Sequence, residues 1–388
     1  MNNNELYQSE LFSNRLSKKY RLLRKWARKE RVTCFRLYDR DIPEIPLACD
    51  LYEFLPPEIT TPAEAALFMN RQRQSESAND QAAIQEAQSR RYLTIFLYER
   101  PYEKPEEEEK SWLMSMADAA ANVLHIEKSH IIIKARCHAK GGSQYGKSEE
   151  NGIKTYFAPA KNIKGIVQEL GQLFYVNLTD YLDSGLFFDH RQLRSTVRDS
   201  AGGKSVLNLF CYTASFSVYA AEGKAKRIES VDLSNTYLTW AKENLSLNGF
   251  DISNESKYIF TRADVTGFLN QKNAEVPCKT LSGKPDGTNR FDIIILDPPT
   301  FSNSKKTRTA MDINRDWSNL VNKCLSLLNP KGVLYFSTNS RRLNFDSNLV
   351  TQKFPDGSTI SIQDITEQTI PEDYRNTKIH RCWKLTRN

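Results

Sequence analysis

Three aspartates and one hydroxyl-rich loop follow apolar segments in the second half of this 388-residue sequence. The aspartates are Asp232, Asp264 and Asp297, and the loop reads NLFCYTAS over 208–215 before a helical segment. A carboxylate about 20 residues after such a loop is placed to accept two hydrogen bonds from a ribose diol. A second carboxylate is placed to accept from an adenine amino group, and the first amides of a helix receive an anion. These residue types and spacings predict a bound nucleoside cofactor.

Asp297 is set apart by the two prolines that follow it, Pro298 and Pro299. Proline has no backbone N–H and a fixed φ, so the apolar strand cannot continue past the aspartate. The chain therefore presents one carboxylate at a strand tip, followed by a stiff loop of small residues. Each aspartate taken singly is better explained as a helix cap or a solvated turn residue. Polar residues at four strand ends together favour a binding site instead.

The elements that must position these residues alternate between strand and helix from Gly202 onward. The predicted strands are Ser205–Leu209, Arg227–Val231, Tyr258–Thr261, Phe291–Leu296 and Gly332–Ser337, with helices at Ser215–Ala221 and Asn235–Leu247. This rhythm predicts an α/β fold with a mostly parallel, doubly wound sheet. Ligands bind at the carboxyl ends of the strands in such sheets, which is where the aspartates lie.

The first half of the sequence has a different order of elements. Segments that read strand, strand, helix, strand, strand predict a small α+β domain ahead of the larger one. The predicted division is a basic N-terminal helix at 1–32, an α+β substrate- or RNA-binding domain at 33–184, and the parallel-sheet domain at 185–388.

The N-terminal helix carries a concentration of positive charge. Nine basic residues and one acid lie between Arg15 and Arg31, among leucines and a tryptophan, with no proline or glycine. An amphipathic helix of this kind is suited to binding phosphates, because each neutralised phosphate releases counterions. The alternative is a solvated helix whose charges only keep the chain soluble. The predicted RNA contacts are Lys18, Lys19, Arg21, Lys25, Arg28 and Lys29.

Composition excludes several classes of protein. Net charge is +7, hydrophobic residues make up 39%, and no apolar run is long enough for a membrane span, so we expect a soluble cytoplasmic protein with no membrane partner. The N-terminus lacks the apolar region of a signal peptide. Seven cysteines without CxxC pairs, and five histidines that are dispersed in sequence, predict no disulfide frame and no metal site. The oligomeric state is not predicted.

Several motifs resemble one family of enzymes. NLFCYTASFSVYAA, VDLSNTYLTWAKENLSLNG, DPPTFSNS and NLTDYLDSGLFFDHR are similar to bacterial large-subunit ribosomal RNA methyltransferases that use S-adenosylmethionine. NRLSKKYRLLRKWARKE and IPEDYRNTKIHRCWKL extend the resemblance over nearly the whole chain. It points to the guanosine-N7 unit that forms the C-terminal half of a fused 23S rRNA guanine methyltransferase. It implies a Rossmann-like class I methyltransferase domain preceded by an RNA-binding domain.

The resemblance also implies a cofactor, partners and roles for residues. S-adenosylmethionine would be converted to S-adenosylhomocysteine (SAH), and the partner would be 23S rRNA or the assembling large ribosomal subunit. The fused guanine-N2 half is not in this sequence, which leaves room for a separate guanine-N2 methyltransferase as partner. The implied cofactor residues are Asp189, Arg191, Asn208, Phe210, Tyr212, Thr213, Asp232, Leu233, Ser234, Asp264 and Asp297. The implied target-base residues are Asp297, Pro298, Pro299 and Phe301.

Two observations bear on the chemistry. Relatives in the family commonly have glycine where this chain has Ala214, and a methyl group at a position that needs positive φ costs free energy, which puts cofactor affinity in question. Guanine N7 carries no proton, so methylating it needs neither a base nor a thiol. Cytosine C5 would need a cysteine thiolate, which is missing from the predicted strand tips. Enzymes that methylate an exocyclic amine such as guanine N2 usually have an aromatic residue after the two prolines, where this chain has Thr300. A non-catalytic RNA-binding assembly factor that keeps the fold is the remaining alternative.

Overall fold

The structure is a computed structural model that describes residues 3–98, 104–136, 153–158, 160, 162–275, 290–302 and 311–388. These residues form two compact units. Unit 1 runs to Phe188 and also includes Glu372–Asn376, and unit 2 comprises Asp189–Pro371 and Thr377–Asn388. The sequence-based division at 1–32, 33–184 and 185–388 has three parts and stays a prediction. Every helix within the described ranges is too short or too polar to cross a lipid bilayer.

Unit 1 is built on a mixed five-stranded sheet of order β1-β2-β3-β4-β5. Its strands are β1 (Cys34–Asp39), β2 (Leu47–Glu53), β3 (Arg91–Leu97), β4 (Ile131–Arg136) and β5 (Ile153–Phe157). Its helices are α1 (Asn3–Glu30), α2 (Pro62–Ser77), α3 (Gln81–Ser89) and α4 (Glu106–Leu124). A hairpin of β6 (Lys164–Glu169) and β7 (Gln172–Asn177) follows. Only β3 and β4 pair in parallel, so this is the α+β arrangement expected from the order of elements.

Helix α1 is amphipathic, and its apolar residues explain its packing. Phe12, Leu16, Leu23 and Ala27 recur at helical spacing and are buried in the core of unit 1 together with residues of α4. Burial of this face stabilises the helix far more than its intrinsic propensity does. The face opposite the core is exposed and positively charged, with Lys18, Arg21, Lys25 and Lys29 on it.

Arg28 does not fit the predicted RNA contact. Its side chain is 11% exposed, and its Nη2 lies 2.9 Å from carboxylate oxygens of both Glu53 and Glu76. Burial alone would raise the pKa of Glu53, but Arg28 and Arg91 lower it to about 2. Lys19 is partly engaged as well, with its Nζ 3.8 Å from Asp41 Oδ2. Arg28 therefore belongs to a buried ion-pair network inside unit 1.

Unit 2 contains a seven-stranded sheet of order β10-β9-β8-β11-β14-β16-β15. Its strands are β8 (Ser205–Leu209), β9 (Arg227–Asp232), β10 (Tyr258–Arg262), β11 (Phe291–Leu296), β14 (Leu328–Thr338), β15 (Ile360–Asp364) and β16 (Arg381–Arg387); β12 (Phe301–Ser302) and β13 (Met311–Asp312) form a separate pair. Its helices are α5 (Arg191–Ser200), α6 (Ser215–Glu222), α7 (Asn235–Leu247), α8 (Val265–Glu275), α9 (Ile313–Ser326) and α10 (Thr366–Thr369). The mostly parallel, Rossmann-like sheet predicted from the sequence is confirmed.

The strand order explains where a ligand can bind. Strands β8 to β11 and β14 run in parallel, and β16, which pairs antiparallel with both β14 and β15, is the one strand of this described sheet that runs in the opposite direction. The order reverses beside β8, which pairs with β9 on one side and β11 on the other. A crevice forms at the carboxyl ends of strands beside such a reversal. Asp232 is the last residue of β9 and Asp297 directly follows β11, the two strands that flank β8, so the sheet brings both residues to the edge where the β8–α6 loop begins.

Candidate active site

The loop between β8 and α6 has an unusual backbone. Phe210, Tyr212 and Ala214 have φ values of 53°, 52° and 59°, in the left-handed region that residues other than glycine rarely adopt. The loop is tied to β9 by two hydrogen bonds: Cys211 N donates to Val231 O, and Tyr212 N donates to Asp232 Oδ2 at 3.0 Å. The strained conformation is therefore maintained from the neighbouring strand.

Ala214 is buried and lies at the N-cap of α6, where its positive φ is the conformation for which glycine is suited. Replacing it with glycine is expected to stabilise unit 2. The left-handed strain of about 1–2 kcal/mol exceeds the roughly 0.8 kcal/mol that the buried methyl contributes. We expect a net gain of about 0.5 kcal/mol, measured as a rise of about 1–2 °C in Tm.

The matched control for this change is Ala241→Gly. Ala241 is equally buried but lies inside helix α7, where glycine is unfavourable, so this variant should melt at a lower temperature than wild type. If both variants melt lower, Ala214 is not strained.

Asp232 lies at the centre of the strand-end edge. Its Oδ2 accepts from Tyr212 N, and its Oδ1 accepts from Ser234 N at 2.8 Å. Ser234 in turn accepts from Tyr237 N and caps α7. Burial raises the pKa of Asp232, and the backbone hydrogen bonds oppose that rise. A carboxylate has about four lone-pair sites, so Asp232 can hold these two amides and still accept from a diol.

Two other predicted cofactor residues have structural partners of their own. Asp264 accepts from Gly267 N at 2.9 Å, and so it caps the start of α8. Asn208 is 1% exposed, and its amide donates to Ser217 Oγ, which is also bonded to Ser230 Oγ. The placement of Asn208 does not fit a side chain that lines a cofactor pocket. Its amide instead holds β8, α6 and β9 together beneath the loop.

Thr213 and Leu233 complete the predicted cofactor set at these strand ends. Thr213 is buried, and its carbonyl accepts from Asn244 Nδ2 in α7. Leu233 is half-buried beside Asp232, and so are Phe210 and Tyr212 of the loop. The structure thus brings these predicted residues to one edge, with a half-buried carboxylate, the start of α6 and partly exposed apolar side chains. This donor set fits a ligand that has a diol, a carboxylate and an aromatic base.

Asp297 follows β11 and is held at both carboxylate oxygens. Ser337 Oγ donates to Oδ1 at 2.6 Å, and His190 Nε2 lies 3.3 Å from Oδ2. Pro298 is buried and Pro299 half-buried, whereas Phe301 is 38% exposed. Because about a quarter of the Asp297 side chain is exposed, the arrangement presents an oriented carboxylate near an accessible aromatic ring.

A cluster of histidines behind Asp297 was not predicted. Asp189 Oδ2 lies 3.6 Å from His380 Nδ1 and 4.0 Å from His190 Nε2, and the two imidazole rings stack. Burial would raise the pKa of Asp189, but the histidines hold it well below its usual range. Asp189 therefore faces this cluster, and Arg191, at the start of α5, is fully buried. The sequence offered one signal for this cluster, the aspartate Asp189 directly before His190.

The cysteines described in unit 2 are unsuited to nucleophilic catalysis. Cys211, Cys324 and Cys382 are buried, and burial raises the pKa of each thiol. The carboxylate of Asp297 raises that of Cys382 further. The thiolate is the reactive form of cysteine, so these three residues are held in the unreactive form. Cys278 lies outside the described residues.

Comparisons with known proteins point to one class of enzyme. The sequence profile of S-adenosylmethionine-dependent methyltransferases matches residues 158–356. Ribosomal RNA large subunit methyltransferase K of Neisseria meningitidis is 39% identical over 374 residues, which cover 96% of this chain and 86% of that protein. Ribosomal RNA large subunit methyltransferase K/L of Pseudomonas fluorescens is 37% identical over 97% of this chain but only 40% of that protein.

The fold is also similar to a solved structure. A methyltransferase crystallised with SAH superposes with a TM-score of 0.64 over 97% of this chain and 81% of that one, at 19% identity. At this identity the likeness concerns the fold alone.

Proposed function

We propose, on the premise that this chain belongs to the S-adenosylmethionine-dependent methyltransferases and among them to the ribosomal RNA large subunit methyltransferase K family, that it methylates guanosine at N7 in large-subunit ribosomal RNA. The observation that carries the proposal is Asp297. This partly exposed carboxylate is oriented from both sides at the strand end where the target base would lie.

The cofactor supplies a methyl group on a positively charged sulfur. Asp232 would accept from its ribose hydroxyls, and Asp264 would accept from its adenine amino group. The first amides of α6 would receive its carboxylate. Phe210, Tyr212 and Leu233 would provide apolar surface around it. Tyr237, which meets Tyr212 edge-on with 4.6 Å between ring centroids, extends that surface. These assignments rest on the strand-end geometry and on the family.

Asp297 and Phe301 would position the base. The N1–H and N2 amino group of guanine lie side by side and suit one carboxylate as acceptor. Phe301 offers an exposed ring on which a base that has been extruded from its helix can stack. With the purine edge fixed in this way, its N7 lone pair can face the methyl group. Asp297 would also stabilise the positive charge that the purine gains.

Guanine N7 suits this site because the reaction requires alignment more than proton transfer. The N7 lone pair carries no proton, and aligning two reactants can remove as much as roughly 7–11 kcal/mol of barrier. Cytosine C5 would require a thiolate, and Cys211, Cys324 and Cys382 are held as buried thiols. Guanine N2 methylation is disfavoured by Thr300, whose hydroxyl donates to Asn339 Oδ1 at 2.6 Å.

The test is to incubate the purified protein with labelled methyl donor and either naked 23S rRNA or a large-subunit precursor particle. The RNA is then digested to nucleosides, which are identified by mass. We expect label in 7-methylguanosine, and comparing the two substrates shows which one is used. Label only in 5-methylcytidine or N2-methylguanosine would overturn the N7 proposal. Donor or RNA binding without transfer would favour the non-catalytic assembly factor.

The exposed basic face of α1 is proposed to contact RNA phosphates. Reversing Lys18, Lys25 and Lys29 to glutamate should weaken RNA binding and flatten its salt dependence. Each lost phosphate contact removes roughly 0.7–0.9 from the slope of log K against log salt, so three contacts remove roughly 2.1–2.7. The measurement is a series of binding curves at increasing salt.

A matched control reverses Arg71, Arg73 and Lys110, which are also exposed but lie on α2 and α4. The net charge changes equally in the two triple variants. Equal slopes for the two would show that only overall charge matters and that α1 makes no phosphate contacts.

A further inference from the structure

His190 touches the carboxylate on which the proposed function depends. Its Nε2 lies 3.3 Å from Asp297 Oδ2, and its side chain is 8% exposed. Its Nδ1 is buried and has no hydrogen-bond partner among the residues that the structure describes. His190 therefore contacts Asp297 through one ring nitrogen and leaves the other unpaired in the interior.

The hydrogen bonds of His380 fix where its protons lie. Thr369 Oγ1 donates to Thr366 O at 2.8 Å, so its single proton is already used. The 2.8 Å contact between Thr369 Oγ1 and His380 Nε2 therefore requires the histidine to donate. The other nitrogen of His380, Nδ1, faces Asp189 Oδ2 at 3.6 Å. His380 therefore lies between Thr369 and Asp189, with one ring nitrogen toward each.

The ring of His190 also stacks on that of His380. The imidazole planes are 13° from parallel, with 4.9 Å between centroids. Nε2 of His190 faces a carboxylate oxygen of Asp297, so this contact is attractive only when Nε2 carries a proton. The stacking therefore holds the ring with its Nε2–H toward Asp297.

We propose that His190 is a positioning residue for Asp297: its Nε2–H holds Oδ2 while Ser337 holds Oδ1, so that the carboxylate meets the target base in one orientation. The stacked ring of His380, which contacts Thr369 through its own Nε2, holds His190 in place. The inference rests on the proposed function, because it assumes that Asp297 meets the base.

The same cluster does not suit a metal ion. Ligand atoms of Asp189, His190 and His380 all lie within 4.8 Å of one another. However, a histidine binds a metal along a lone pair in its ring plane. The two stacked rings lie in nearly parallel planes, so their lone pairs cannot meet at one ion. A role in positioning is therefore the one that the geometry supports.

The first test compares His190→Gln with His190→Leu. Glutamine can present an N–H where Nε2 lies, whereas leucine cannot. We expect His190→Leu to lower the single-turnover rate of methyl transfer about 10- to 100-fold and His190→Gln to stay within about threefold of wild type. Cofactor Kd should stay within twofold for both, which also reports that they fold. Equal losses in the two variants would overturn the proposal.

The second test is a double-mutant cycle with Asp297→Ala. If His190 acts through Asp297, His190→Leu should have no further effect once Asp297 is gone. Multiplying effects would overturn the positioning role, because they would mean that His190 supports activity independently of Asp297. The cycle is read on whichever nucleoside the wild-type enzyme methylates. A wild-type product other than 7-methylguanosine would therefore overturn the proposed N7 specificity and leave the His190 result readable.

Discussion

Replacing Asp297 with alanine is expected to slow methyl transfer about 100- to 1,000-fold while leaving cofactor affinity within twofold of wild type. Two hydrogen bonds from the guanine edge to a charged acceptor would be lost, each worth roughly 1.5–3 kcal/mol. The base would also lose its alignment with the methyl group, which is the main source of rate in a reaction without proton transfer. Single-turnover transfer to 23S rRNA measures the rate, and titration calorimetry measures cofactor binding.

Asp251→Ala is a suitable control for this experiment. Asp251 is an exposed aspartate of unit 2, and its carboxylate accepts hydrogen bonds from Ser253 in its own turn. This variant should transfer methyl groups at the wild-type rate. An unchanged rate in Asp297→Ala would leave Asp297 with only a structural role, as the cap of the β11 turn.

Replacing Asp232 with alanine is expected to raise the Kd for S-adenosylmethionine several-hundred-fold. The loss of two hydrogen bonds from the ribose to a charged acceptor, about 3–4 kcal/mol in total, accounts for a change of this size. The variant would also release the amide of Tyr212, which Asp232 Oδ2 holds at 3.0 Å. The loop that surrounds the cofactor would then lose one of its ties to β9.

Calorimetry with S-adenosylmethionine and with SAH separates two explanations of such a loss. Both ligands have the ribose but differ in charge at sulfur, so an equal weakening of both would point to the diol contact. A weakening confined to S-adenosylmethionine would indicate an altered sulfur environment instead. A Kd within threefold of wild type for both ligands would refute the ribose assignment and leave Asp232 as an anchor of the loop.

Much of unit 2 was predictable because its local signals agree with its tertiary structure. Helix Asn235–Leu247 and strand Phe291–Leu296 match their predicted bounds, one after a serine N-cap and the other ending before two prolines. Where the residue types of a segment did not match its burial in the fold, the sequence did not predict the element. Helix α5 reads RQLRSTVRDS, and Arg191 and Arg194 on its buried face are charged. The sequence therefore lacks the apolar stripe that would have indicated an amphipathic helix.

The parts of the site that could not be predicted depend on long-range contacts. Arg28 resembled a surface charge until its partners, Glu53 and Glu76, were brought to it by folding. His380 and His190 become neighbours only because β16 inserts beside β14. Asn208 follows the pattern of a ligand-facing residue, yet its side chain points into the interior. Sequence patterns predicted that these residues lie at strand ends, but they did not predict the direction of each side chain.

The left-handed backbone at Phe210, Tyr212 and Ala214 also limits how this loop can change over evolutionary time. At about 1–2 kcal/mol per residue, the three conformations together cost roughly 3–6 kcal/mol. That is a large share of the ~5–15 kcal/mol by which domains are stable. Valine or isoleucine at any of these positions would add further strain. Changes that relax this loop would therefore add to the stability of unit 2 and widen the range of mutations that the chain survives.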